Sequence, residues 1–156
     1  MIKPESFKSS LKEAEAHAYR ILCEVLLLRD GTDAHIGINP GKENVFVFTL
    51  GNMDNGQVLH SGRCEHFHFI GTGEVWHGER DKVQEFVMGL VGAMPIDDKR
   101  LTNTNLATFR LRADSVKSPD QVVIEVEGEK EPLPCWHTTF DFDVVFYTGP
   151  RLTLRP

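Results

Sequence analysis

The sequence predicts an α+β domain: an antiparallel sheet, with a mixed one left open, and two main α-helices. Three observations predict it. Two segments repeat apolar residues at three- and four-residue steps, the last third of the chain alternates apolar and polar residues with period two, and turn residues separate the two kinds of segment. The longest alternation covers residues 136–148. It sets Trp136, Thr138, Phe140, Phe142, Val144 and Phe146 on one face and His137, Thr139, Asp141, Asp143 and Val145 on the other, the signature of a half-buried strand. This strand is expected to close the sheet.

The first helix is expected over residues 5–28, which lack Gly and Pro and carry Phe7, Leu11, Ala14, Ala18, Ile21, Leu22 and Val25 on one stripe; Asp30-Gly31 ends it. After the turn residues Gly37, Pro40 and Gly41, the apolar run 45–50 is too short for an ordinary helix and predicts a buried strand. Asn55-Gly56 tolerates positive φ and predicts a hairpin with a long loop, leading to a second extended stretch that runs to Ile70. Alternation turns Phe67 and Phe69 inward and His66 and His68 outward. Gly71 and Gly73 break the pattern and are expected in a loop turn. The second helix is expected over residues 79–94, with Val83, Phe86, Val87, Leu90, Val91 and Met94 on its stripe, Glu79 and Asp81 in its first turn, and Pro95 at its end. Ala107, Phe109, Leu111 and Ala113 against Thr108, Arg110 and Arg112, and then Val122, Ile124 and Val126, predict two further strands. Residues 1–150 are expected to form one domain and 151–156 a short exposed tail.

The 156 residues carry 17 Lys and Arg against 23 Asp and Glu, a net charge of −6, which disfavours a nucleic-acid backbone or an anionic membrane as the main partner. No apolar stretch approaches the roughly 20 residues that span a bilayer, and no secretory signal is visible, so a soluble protein is expected. Cys23, Cys64 and Cys135 are odd in number and widely spaced, which suits reduced thiols in a cytoplasm.

The most suggestive chemical cluster is His60, Cys64, His66 and His68, because alternate residues on one strand face lie about 7 Å apart and can converge on a metal ion. With Glu74, the His66-x-His68 pair resembles the first metal motif of the cupins. The carboxylate comes later than that motif requires, and no second motif follows; His137, after Pro134-Cys135-Trp136, is the nearest later histidine. The expectation is therefore no bound metal and no cofactor, with His66, His68 and Glu74 the weak candidates. Asp141 and Asp143 share the spacing of Arg110 and Arg112, so cross-strand ion pairs worth about 0.2–1 kcal/mol each are expected in place of acid/base catalysis. Gly71-Thr72-Gly73 lacks the remainder of a dinucleotide fingerprint, and no nucleophile, phosphate-loop, Cys-x-x-Cys or His-Glu-x-x-His motif occurs. A non-enzymatic protein is expected.

The order of helix, hairpin with a long loop, helix and extended C-terminal strands resembles the tail-terminator proteins of long-tailed bacteriophages, the group of the lambda minor tail protein U. The segments that carry the resemblance are Ala14-Glu15-Ala16-His17-Ala18, Arg63-Cys64-Glu65-His66-Phe67-His68-Phe69, the helix over 83–94 and Thr138-Thr139-Phe140-Asp141-Phe142-Asp143-Val144-Val145-Phe146. It covers nearly the whole chain, which departs by extra residues around 101–105 and 128–134. The resemblance implies both helices packed on one face of the sheet and a structural subunit of a ring, typically a hexamer. The ring would cap the tail tube and offer the surface for head joining. Its partners would be other copies of itself, the tail tube protein and a head-completion protein. No membrane would be involved, and DNA would only pass through the lumen. The protein would be assembled in the bacterial cytoplasm and end in the virion tail.

A ring subunit presents two different surfaces to its neighbours. Arg63, Glu65, Arg110, Arg112, Asp141 and Asp143 are the residues expected to supply charged complementarity there, and the acidic balance suits a lumen that does not hold DNA. The alternatives are a small cupin-like metal enzyme using His66, His68 and Glu74, and a monomeric ligand-binding or adaptor module with a deep apolar pocket.

Overall fold

The computed structural model describes residues 4–61, 64–94, 96–126 and 128–148. A long helix, α1 (Pro4–Val25), leads into a three-residue strand, β1 (Ala34–Ile36). Two long strands follow, β2 (Val45–Ser61) and β3 (Cys64–His77), and then the second helix, α2 (Arg80–Ala93). A single helical turn, α3 (Asp98–Leu101), precedes β4 (Leu106–Leu111), a 3-10 turn (Ala113–Ser115), β5 (Asp120–Ile124) and β6 (Leu133–Thr148). The six strands form one sheet in the order β1-β2-β3-β6-β4, with β5 also paired to β6. β1 runs parallel to β2, and every other pairing is antiparallel. The fold is α+β with a mixed sheet.

Alternation determines which residues enter the core. On β6, Phe140, Phe142, Val144 and Phe146 are fully buried, and their cross-strand partners on β3 are Gly73, Gly71, Phe69 and Phe67. Ala14, Ala18, Ile21 and Leu22 of α1 and Val83 and Leu90 of α2 join the same apolar cluster, so both long helices pack on one face of the sheet. The ring of Phe86 on α2 lies 5.3 Å from that of Phe46 on β2, and Phe48 meets Phe142 edge-on at 5.7 Å, within the range where aromatic pairs add to burial. Polar ties set the position of α1: Glu15 Oε2 accepts the Leu50 amide at 2.8 Å, and Asn105 Nδ2 donates to the Ser10 carbonyl at 2.9 Å.

Several elements differ from the sequence expectation. α1 stops at Val25 because Leu27 adopts a left-handed conformation, φ 56°, and the Leu28 amide closes the end by donating to the Cys23 carbonyl. Asn55-Gly56 is not the hairpin turn. It lies in a bulge of β2, where Asn52 pairs with Ile70 and Gln57 with His68, and the ladder continues to Ser61 opposite Cys64. Gly71 and Gly73 are not in a loop either. They occupy the middle of β3 with their missing side chains toward the core, where Phe48 and Phe140 fill the space: a methyl group added at Gly73 would meet Phe140 Cδ2 at 2.9 Å. A bulge between Leu106 and Thr108 shifts the phase of β4, so Leu106 and Phe109 are the buried pair and Ala107 is not; Ala113 belongs to the 3-10 turn. Val126 falls beyond β5. β6 does not close the sheet as an edge: it is an interior strand, flanked by β3 on one side and by β5 and β4, end to end, on the other. Glu79 sits at the N-cap position of α2, with no capping hydrogen bond from its side chain, in place of lying in the first turn. Pro95 and residues 151–156 lie outside the described residues.

Candidate functional site

The ladder between β3 and β6 turns every second residue of each strand away from the helices. β3 presents His66, His68, Ile70, Thr72, Glu74 and Trp76, and β6 presents His137, Thr139, Asp141, Asp143, Val145 and Tyr147. Arg110 of β4, and Arg112 just past its end, extend this outer face. The histidines therefore lie opposite the inward phenylalanines, as their alternation requires.

The face is braced across three strands. Asp143 Oδ1 accepts from His68 Nε2 at 2.7 Å and from Arg112 Nε at 2.8 Å, so one oxygen of β6 holds a side chain from β3 and another from the end of β4. Partial burial pushes the Asp143 carboxyl up, but hydrogen bonds from His68 and Arg112 and the Arg112 charge outweigh it, and the carboxyl is held below its ordinary value. Of the expected Arg–Asp pairs only this one forms. Arg110 lies directly opposite Asp143 in the ladder, yet Arg112, on the diagonal, takes the carboxylate. Among the described residues neither Arg110 nor the Asp141 carboxylate makes an ion pair; the Asp141 backbone is bound instead, its amide to Ser115 Oγ at 2.7 Å and its carbonyl to the Arg112 amide at 2.8 Å.

A second diagonal pair lies toward the opposite end of the same ladder. His137 Nε2 is 3.4 Å from Glu74 Oε1, close enough for an ion pair but not aligned as a hydrogen bond, and that nitrogen is otherwise unsatisfied and buried. The imidazole stacks on the Trp76 indole at 4.7 Å. The face is also partly apolar: Val45, Val47 and Ile70, on the side away from the helices, are 2%, 1% and 4% exposed and lie outside the main core cluster.

The weak metal candidates do not converge. His68 is bound to Asp143, His66 meets the Tyr147 ring edge-on at 4.4 Å, and Glu74 faces His137. Glu74 lies six positions beyond His68, about 20 Å along β3. Among the described residues no three His, Cys, Asp or Glu side chains could hold one ion. The side chains of His60, Cys64 and Glu65, and all of Arg63, lie outside the described residues. Burial pushes the Cys23 and Cys135 thiols up, away from reactive thiolates. A cleft of about 600 Å³ lies elsewhere, between Pro40-Gly41 and the segment bearing Glu125, Glu129 and Glu131. No helix among the described residues is long and apolar enough to cross a membrane.

Sequence reasoning found the charged members of the outer face and one of their pairs, Arg112–Asp143, but not the roles of His68 and of Glu74–His137. The signal for Glu74–His137 was present, since both residues have outward phase on strands that both alternate. It required the β3–β6 register, which no local pattern contains. The exposed Leu27, with its left-handed backbone, carried no sequence signal at all. Compared with protein-family models and with curated proteins, the chain matches none of them.

Proposed function

We propose that the chain is a structural, non-catalytic subunit of a phage or prophage tail, of the terminator or tail-completion kind. It would assemble with copies of itself into a ring, typically a hexamer, that caps the tail tube and presents the head-joining surface, with DNA passing through the lumen. One observation carries this reading: the sheet ends in two unlike borders. β1 stops opposite Phe48, so beyond it residues 49–61 of β2, paired with β3 on one side, have no strand on the other among the described residues, while the opposite border is formed by β4 and β5. Unlike borders suit heterologous, head-to-tail contacts, which close into rings when the rotation permits.

The outer face supports the reading from a second direction. Asp143 is fixed inside the subunit, whereas Arg110 is exposed and the Asp141 carboxylate is unpaired among the described residues, so a neighbour can pair with both. The cupin-like alternative has no comparable support, because His66, His68 and Glu74 are strung along β3 and not gathered.

Native mass spectrometry of the full chain, with and without a phage tail tube protein, tests the proposal. The expected result is a discrete closed species of one stoichiometry. A monomer at every concentration, alone and with tube protein, would sink it.

A further inference from the structure

The shortest strand of the sheet carries a histidine with a buried, unpaired nitrogen. β1 has three residues, and hydrogen bonds just beyond them fasten it to β2: the Phe46 amide donates to the Asp33 carbonyl and the Gly37 amide to the Phe48 carbonyl, each at 2.9 Å. Ala34 turns into the core and is fully buried, while His35 turns to the outer face opposite Val47. On either side of the strand stands a glycine with left-handed backbone, Gly31 at φ 82° and Gly37 at φ 96°, and nothing lies within 4 Å of where either would carry a side chain. Such positions absorb large dihedral changes, as hinges do.

His35 Nε2 is sealed from solvent and has no hydrogen-bond partner. In a neutral imidazole this nitrogen can be a bare acceptor, with the proton on Nδ1; in an imidazolium it carries a proton, and a buried N–H with no acceptor is costly. The charged groups around it do not offset that cost. Lys42, whose ammonium donates to the Gly31 carbonyl at 2.9 Å, adds repulsion. Asp30 attracts the ring but already accepts the Tyr19 hydroxyl at 2.6 Å, and Asp33 accepts from Arg29 Nε at 3.1 Å. β2 faces the ring with Val47, and Glu74 of β3, next in the same row, faces His137. Burial first and Lys42 second hold the His35 imidazole below its ordinary value, against a smaller pull from Asp30.

We propose that β1 is an acid-released latch: protonation of His35 swings β1 off β2 about Gly31 and Gly37, and the uncovered edge of β2, which already runs over residues 49–61, extends back to Phe46. Released, His35 meets solvent and has its ordinary value of about 6.5; latched, its value is lower. The released state therefore binds the extra proton. The latch holds fully above about pH 6.5 and loosens as pH falls from there toward the latched value, by up to about tenfold in the opening constant per pH unit. Backbone groups that β1 had satisfied on Phe46 and Phe48 then turn outward, and an uncovered edge accepts another strand. Acid thus lengthens the open border of β2, whether or not the chain forms a ring.

Hydrogen exchange followed by NMR on the full chain reads the latch at the Gly37 and Phe46 amides. The Arg112 amide, bound to the Asp141 carbonyl near the opposite border, is the reference. Protection corrected for intrinsic rates should fall about tenfold at Gly37 and Phe46 between about pH 7.5 and pH 5, and hold at Arg112. His35→Leu, which fills the site without a titrating group, should remove the fall. Lys42→Met should shrink it, because the repulsion on the imidazolium is gone. In the parent, the His35 ring resonance should titrate below the ordinary histidine range and in step with the amide shifts of residues 34–37, a measurement that stands even where a variant fails to fold. A loss as large in His35→Leu as in the parent, an equal loss at Arg112, unchanged protection throughout, or a ring that titrates at its ordinary value overturns the latch.

Discussion

Replacing Gly73 with alanine should destabilise the protein, against the general rule that alanine is better than glycine inside a strand. The added methyl group would collide with Phe140 Cε2 and lie 2.9 Å from Cδ2 and 3.0 Å from Cζ. That ring is 1% exposed and is wedged among Phe46, Phe86 and Phe142 at centroid distances of 6.1, 6.4 and 5.7 Å, so it cannot move aside freely. Overpacking of this kind costs about 1–3 kcal/mol. Alanine returns about 0.4–1 kcal/mol by restricting the unfolded chain. The net loss is about 1–2 kcal/mol, or a Tm lower by roughly 2–8 °C at this chain length. Gly89→Ala on α2 is the matched control: nothing lies within 4 Å of its added methyl, and an exposed helical glycine gains about 0.5–1 kcal/mol as alanine. Urea melts followed by tryptophan fluorescence would measure both. Phe140→Leu should cost less in the Gly73→Ala background than alone, by about 0.5 kcal/mol or more. A Gly73→Ala protein as stable as the parent, alongside a stabilised Gly89→Ala, would refute the packing reason given for this glycine.

Asp143→Asn should cost about 1 kcal/mol at neutral pH, since it removes the acceptor charge shared by His68 and Arg112. The folded Asp143 carboxyl lies below its ordinary value, so its contribution is complete above about pH 4, the unfolded range, and is lost as pH falls through the lower folded value. Melts of parent and variant should therefore converge on acidification below about pH 4, and a difference that persists there would contradict the assignment. Leu27→Gly should raise Tm by roughly 2–4 °C, because a left-handed leucine that is 88% exposed costs about 1 kcal/mol and contributes little packing; a lower Tm would mean the side chain is held by contacts. Elemental analysis of untagged protein should find well under one metal per chain, unchanged in His66→Ala, and a stoichiometric metal lost in that variant would restore the cupin-like reading.

Much of the fold was legible because its signals are periodic. α1, α2 and both faces of β6 follow from spacing alone, and so does the outward placement of His66 and His68. Apart from the local end of α1 at Leu27, the main failures share one physical cause, in that a partner distant in sequence determined the local structure. Gly71 and Gly73 signal a turn by composition, yet they sit mid-strand because Phe48 and Phe140 fill the volume they leave. Asn55-Gly56 was absorbed into a bulge by the register of β3, and β1 exists only because Phe46, Val47 and Phe48 pair with it. The candidate site divides in the same way. The charged positions could be read, but that Asp143 would choose Arg112 over Arg110, and bind His68 from 75 residues away, depended on the diagonal geometry of a sheet already formed.

The interior position of β6 has a consequence for how this chain reaches its folded state. β3, β4 and β5 each need β6 as a partner, and all three precede it in sequence. During synthesis, β1 to β3 can pair among themselves, but β4 and β5 must wait, and the apolar side of β3 stays uncovered along that border. β5 meets β6 across a short connection, but β3 pairs with β6 across 59 to 83 residues, and pairings that distant close slowly, because loop entropy is lost before contacts repay it. The nascent chain thus passes through a window with an exposed, aggregation-prone strand edge, and how fast β6 arrives sets how long that window stays open.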